Sequence, residues 1–135
     1  MLALAASYGA PAAAEEATVV TFAMAQLGKP YAWGGSGPGT WDCSGLVQAA
    51  YRQAGVPFPH DAAAQYAQTA AHQVPLDGLQ PGDLVFFGAT TQTISHVGIY
   101  VGRGDMIDAP HAGAVVRIEP IHWPDLLAAT RPLAG

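Results

Sequence analysis

The chain holds a single cysteine, Cys43, set between Asp42 and the pair Ser44-Gly45. One thiol excludes an internal disulfide and a Cys-rich zinc site, which leaves a core filler, an intermolecular link or a reactive thiol. Asp42 suits a helix N-cap, and the apolar spacing of Leu46, Val47, Ala50 and Tyr51 continues a helix from Cys43. A cysteine in that first turn meets unpaired N–H groups and the helix dipole, which favour thiolate and can also receive an oxyanion. The competing reading is a buried structural thiol. A thiolate nucleophile needs a base, ordinarily a histidine. His60, His72 and His122 stand beside Pro, Gln or Trp and read as surface residues, and His111 sits in a Pro-His-Ala-Gly turn. His96 differs because it opens a strongly apolar strand, where a polar ring is costly unless paired. A satisfied core histidine is the alternative there. If Gly102 to Gly104 closes a hairpin, Asp108 falls about opposite Gly98, diagonal to His96 on the same sheet face. Its carboxylate can then hold the imidazole in one tautomer, with no Gly98 side chain in the way. The alternative pairs Asp108 with solvent or with Arg103.

The elements that must position these groups fall in two blocks. A first helix is expected from Glu15 to Leu27, through Val19, Ala23 and Leu27, with acidic residues at its start and Gly28 and Pro30 beyond its end. The run from Gly34 to Asp42 is a glycine-rich loop, Cys43 to Ala54 a second helix ended by Gly55, and Asp61 to Ala71 an Ala-rich third. Leu79 to Asp83 is turn chemistry, followed by strands at Leu84–Phe87, His96–Val101, Asp105–Ala109 and Ala114–Ile118. Ala129 to Leu133 reads as an edge strand, which Pro132 suits. Helices first and strands afterwards predict an α+β domain, with helices packed on one face of a mostly antiparallel sheet.

Composition narrows the function. At 135 residues the chain fits one domain, burying roughly 65–70% of its unfolded surface. Hydrophobic residues make up 50% and charged residues 11%, against a disordered segment. A formal charge of −5, with Lys29 the single lysine, disfavours nucleic acid and anionic membrane as partners. No apolar run is long enough for membrane insertion. Residues 1–14 are short, rich in Ala and Pro, and end in an Ala-Ala-Ala that a signal peptidase could cut, yet they carry no positive charge. They are read as a flexible leader or linker stub, with residues 15–135 as the domain.

The stretches LGKPYAWGG (Leu27 to Gly35), WDCSGLVQAAY (Trp41 to Tyr51), LQPGDLVFF (Leu79 to Phe87) and SHVGIYVGRGDMIDAP (Ser95 to Pro110) resemble the NlpC-type papain-like cysteine peptidases of bacterial cell walls. The resemblance implies a papain-like fold, with Cys43 as nucleophile, His96 as base and Asp108 as third member. Many relatives carry a second His at that third position, others Glu, Gln or Asn, so Asp108 departs from the commonest pattern. Tyr31 matches a tyrosine beside the nucleophile, as oxyanion helper or as aromatic wall. Asp42 and Ser44 are expected at the oxyanion side, and Trp33, Trp41 and Ser95 at the substrate groove, with packing the competing role for both tryptophans. The implied activity is cleavage of peptidoglycan stem peptides at the D-γ-glutamyl–meso-diaminopimelate bond, helped by Arg103 or Arg117. No cofactor or metal is implied, and a secreted or envelope-associated monomer is expected. The alternatives are a silent peptidoglycan-binding module, or an amidase or acyltransferase on the same scaffold.

Overall fold

A computed structural model describes residues 2–133, with the side chains of the first helix described from Ala13 onward. Three helices, α1 (Leu2–Ala25), α2 (Cys43–Arg52) and α3 (Ala62–Thr69), precede five strands. These are β1 (Leu84–Gly88), β2 (Ile94–Gly102), β3 (Asp105–Asp108), β4 (Arg117–Pro120) and β5 (Leu126–Thr130), with a short 3-10 turn at Trp123–Asp125. The sheet order is β4-β3-β2-β1-β5, and every pairing is antiparallel.

Alternation along the strands divides the core. Leu84, Phe86, Val97, Ile99 and Ile107 face the helices and bury Val19, Leu46, Val47, Ala50 and Tyr51. Val85, Phe87, Tyr100 and Met106 face the other way, where Val74, Ile121 and Leu126 cover them. Strands buried on both faces read as near-continuous apolar runs. That is how Leu84 to Phe87 stands in the sequence.

The largest departures from the sequence expectation fall at three elements. The first helix begins at Leu2 rather than Glu15, because alanine has the highest helix propensity and the Ala-rich stretch continues the helix. The fourth strand lies at Arg117–Pro120 rather than Ala114–Ile118. Residues 114–116 are extended but pair with the chain after α1: Tyr31 N–H donates to Ala114 O (3.0 Å), Val116 N–H to Lys29 O (2.8 Å) and Gly28 N–H to Val116 O (2.9 Å). A single-strand pattern cannot reveal which neighbour it will choose. The last strand ends at Thr130, its outer edge covered where Val74 N–H donates to Ala129 O (2.8 Å) and Arg131 N–H to His72 O (3.0 Å). Pro132 therefore lies past the strand.

The Pro81-Gly82-Asp83 turn is anchored by charge. Asp83 is fully buried, and Arg131 grips it with two bonds, Nε to Oδ1 at 2.8 Å and Nη2 to Oδ2 at 2.9 Å. Planar guanidinium matches planar carboxylate, so the pair ties the start of β1 to the residue after β5.

Candidate active site

Asp42 organises the start of α2. Its Oδ1 accepts from the Gly45 amide at 2.7 Å, as an N-cap does, and Oδ2 accepts from Gly34 N–H at 3.1 Å. The Asp42 amide donates in turn to Gly35 O at 2.9 Å, pinning the glycine-rich loop to the helix start. The contact is tight enough to require glycine at position 45, where a Cβ would stand 2.1 Å from Gly35 O. The loop's base is held by Gln26, whose Oε1 accepts from Lys29 Nζ (2.7 Å) and Trp41 Nε1 (3.2 Å).

Cys43, half-buried, opens α2 and lines a cleft of about 490 Å³ together with His96, Tyr31, Trp33, Asp42, Ser44 and Ser95. His96 comes from the early part of β2, beside the bulge opposite Phe87 and Gly88. The β2–β3 register pairs Ile99 with Ile107 and Tyr100 with Met106, so Asp108 falls opposite Gly98. A Cβ on Gly98 would lie 3.5 Å from Asp108 Cβ, and the bare glycine leaves the diagonal open. Across it, His96 Nε2 stands 2.7 Å from Asp108 Oδ2. The hairpin geometry expected from the sequence is thus the one the chain adopts, and Asp108 pairs with His96 rather than with Arg103.

Asp108 is 1% exposed, so the His96–Asp108 contact is almost wholly shielded on the acid's side. Burial pulls the His96 pKa down, but hydrogen bonding to Asp108 and to Cys43, with both their charges, pushes it up to about 9. The imidazolium is therefore the favoured form near neutrality. With Nε2 committed to Asp108, Nδ1 is the ring nitrogen left to exchange a proton with the sulfur. The Tyr31 hydroxyl titrates above its ordinary value, through burial and then the neighbouring Cys43 and Asp42. It stays a hydrogen-bond donor across the neutral range.

The remaining sequence candidates separate. Ser44 is buried with Oγ 3.4 Å from Asp42 Oδ1, and Ser95 is exposed at the cleft. Trp33 is 92% exposed on the cleft's rim. Trp41 is 3% exposed and packs edge-on against Phe22, so it belongs to the core and not to the groove wall. Neither Arg103 nor Arg117 lines the cleft: Arg103 occupies the β2–β3 turn, and Arg117 lies on β4 behind Asp108. His60, read from the sequence as a surface residue, is in the cleft, with Nε2 2.6 Å from Asp42 Oδ1. Gln65, fully buried on α3, carries the His60 loop over the helix start by donating to Ser44 O and Pro59 O, both at 2.9 Å. Nothing local in Pro59-His60-Asp61 announces this, because the packing of α3 decides it.

A helix-start cysteine packed against an antiparallel sheet that supplies a histidine is the papain-like α+β arrangement. The family model described as "NlpC/P60 family" matches residues 28–129, and the chain belongs to that family. It is 43% identical over 113 residues to a probable endopeptidase of Mycobacterium tuberculosis, covering 82% of this chain and 27% of that protein. It is 46% identical over 104 residues to the probable endopeptidase p60 of Listeria seeligeri, covering 77% of this chain and 19% of that one. Among solved structures, the peptidoglycan hydrolase RipB of Mycobacterium tuberculosis superposes with a TM-score of 0.81 at 30% identity, covering 93% of this chain and 68% of that chain. The chain thus spans about a fifth to a quarter of the length of the curated relatives it matches.

Proposed function

We propose that the chain is a cysteine endopeptidase acting on peptidoglycan stem peptides, with the D-γ-glutamyl–meso-diaminopimelate bond as its target. The observation that carries this reading is Cys43 and His96 in one open cleft, with Asp108 buried behind His96 and bonded to its ring. The reaction begins as the Cys43 thiol gives its proton to His96 Nδ1. The thiolate attacks the scissile carbonyl carbon, and the electron pair moves onto its oxygen. That oxygen is received by the α2 start, where the Gly45 amide is already taken by Asp42 and those of Cys43 and Ser44 are the helix's first donors. The Tyr31 hydroxyl can donate from the opposite side. As the tetrahedral species collapses, His96 gives its proton to the departing amine and an S-acyl enzyme forms. Water then attacks the thioester with His96 as base, releasing the acid and restoring the thiolate. Asp108 keeps the ring oriented and its charged form favoured throughout.

The catalytic unit in this reading is residues 15–135, working as a monomer in a secreted or envelope-associated setting. Among the described residues no helix is long and apolar enough to cross a membrane. Support for the substrate class comes from the family membership and from the relatives' names. Mass spectrometry of muropeptides after incubation with purified protein tests the reading. New amino termini on diaminopimelate with loss of the intact stem support it. Loss of the bond between sugar lactyl group and peptide would assign an amidase instead, and unchanged muropeptides a binding module.

A further inference from the structure

The residue behind the His96–Asp108 pair has no role in the mechanism so far. Asp108 Oδ2 is engaged by His96, but Oδ1 is buried and meets no hydrogen-bond donor. An unpaired carboxylate oxygen at a residue 1% exposed is costly, and a native structure normally satisfies it. The β3–β4 register shows what faces it. Asp108 pairs with Arg117 and Met106 with Glu119, so Asp108, Arg117 and Glu119 project from the same sheet face. Arg117 Nη2 donates to Glu119 Oε1 at 3.1 Å, and Glu119 sits diagonal to Asp108 in the β3–β4 register, the two lining one pocket. Two neighbouring carboxyl groups, one of them shielded from water, repel each other when both are ionised. The remedy is a proton between them. A pocket of about 260 Å³ on this side of the sheet, lined by His96, Asp108, Arg117 and Glu119 among others, gives that proton access to solvent.

We infer that Glu119 is a positioning residue for catalysis: in its protonated form it donates a hydrogen bond to Asp108 Oδ1 and so fixes the carboxylate that orients His96. Arg117 holds one Glu119 oxygen, and the other carries the proton. The groups around this carboxyl are Asp108 from β3, His96 from β2, Arg117 on its own strand, and His122 and Asp125 beyond it. The last two are paired with each other at 2.8 Å. Burial and the neighbouring Asp108 hold the Glu119 carboxyl above the usual glutamate range, and Arg117 opposes them only in part. The inference rests on the triad reading, because Glu119 acts through Asp108.

The test compares Glu119→Gln, Glu119→Ala and the double variant Asp108→Ala/Glu119→Ala with wild type, each checked for an unchanged far-ultraviolet spectrum. Glutamine offers an N–H donor permanently and matches the neutral carboxyl in charge. Glu119→Gln should keep wild-type kcat at neutral pH, whereas Glu119→Ala should lower kcat about ten-fold, as for one lost hydrogen bond, with KM unchanged. The alanine effect should vanish in the Asp108→Ala background. Glu119→Gln as impaired as Glu119→Ala, or Glu119→Ala at wild-type kcat, would overturn the inference. Carbon-13 NMR titration of the Glu119 carboxyl stands apart from activity. A pKa above the ordinary glutamate value that drops in Asp108→Ala supports the shared proton, and an ordinary value refutes it. If Asp108→Ala alone keeps full turnover, the triad reading fails, and the titration still decides whether the two carboxyls share a proton.

Discussion

Asp42 and His60 are hydrogen-bonded, 2.6 Å between Oδ1 and Nε2, at the very residue that caps the Cys43 helix. The pair sits in the cleft between the cap of α2 and the loop that leads into α3, so it joins the position of Cys43 to that of α3. His60→Ala should leave Asp42 as a competent cap but slacken the α3 loop, raising KM several-fold with a smaller loss in kcat. Steady-state kinetics on a soluble stem-peptide substrate would measure the split. A fall in kcat matching that of His96→Ala would instead make His60 the base.

Cys43→Ala should fold normally and lose activity by at least about ten-thousand-fold, while an alkylating reagent should inactivate the wild-type protein quickly at neutral pH. Slow labelling together with a destabilised alanine variant would mark Cys43 as structural.

Removal of His96 should be as damaging as removal of Cys43, and the double variant scarcely worse, since the two groups act as a unit. His111→Ala is the control. That residue is exposed, bonding only Ala112 O at 3.0 Å, and its loss should change little.

Asp108→Ala should cut turnover by roughly a hundred-fold and Asp108→Asn by less, because an amide oxygen still accepts from the ring. Asp108→His should retain substantial activity if the position is the family's third site. The pH profile adds a signed test. Asp108 helps raise the His96 pKa to about 9, so the imidazolium is favoured in the folded protein. Its contribution to stability is full below the free-imidazole value near 6.5 and fades as pH rises through about 9. Activity should fall over that same upper range as the proton for the leaving amine is lost, and Asp108→Asn should move this limb to lower pH.

Two substitutions separate folding from chemistry. Gly45→Ala would drive a methyl group into Gly35 O, a backbone atom that no rotamer change can move, costing about 1–3 kcal/mol and displacing the loop beside Cys43. Arg131→Ala would leave the buried Asp83 carboxylate unpaired and destabilise the fold by about 3–5 kcal/mol while leaving the cleft's residues untouched. Chemical denaturation checks both. Activity measured well below the unfolding midpoint should drop for the first and persist for the second.

Periodic patterns and short-range caps were legible before any coordinates. Asp42 as N-cap, Cys43 in the first turn, and the His96–Gly98–Asp108 diagonal all follow from spacings of at most twelve residues joined by a tight turn. What could not be read depends on chain segments meeting from far apart. His60 reaches Asp42 because α3 packs where it does, Trp41 turns inward because Phe22 and Gln26 are there to receive it, and residues 114–116 choose the segment after α1 over β3. The Asp83–Arg131 pair joins the ends of the neighbouring strands β1 and β5 across 48 residues of sequence. A sequence pattern registers that a residue is polar or apolar, and partners this distant lie outside its window.

The cleft's lining has a kinetic consequence. Its charged side chains are acidic or histidine, with no lysine or arginine among them, on a chain whose formal charge is −5. Long-range forces therefore push an anionic wall fragment away before it can dock, and diffusional encounter proceeds against that field instead of being drawn in by it. Added salt shortens the reach of the repulsion to about 10 Å at 0.1 M. kcat/KM on an anionic fragment should thus climb with ionic strength at first, the reverse of an enzyme that steers its substrate by attraction. On the proposed reading, discrimination is left to the short-range fit around Tyr31, Trp33 and Ser95, which line the cleft.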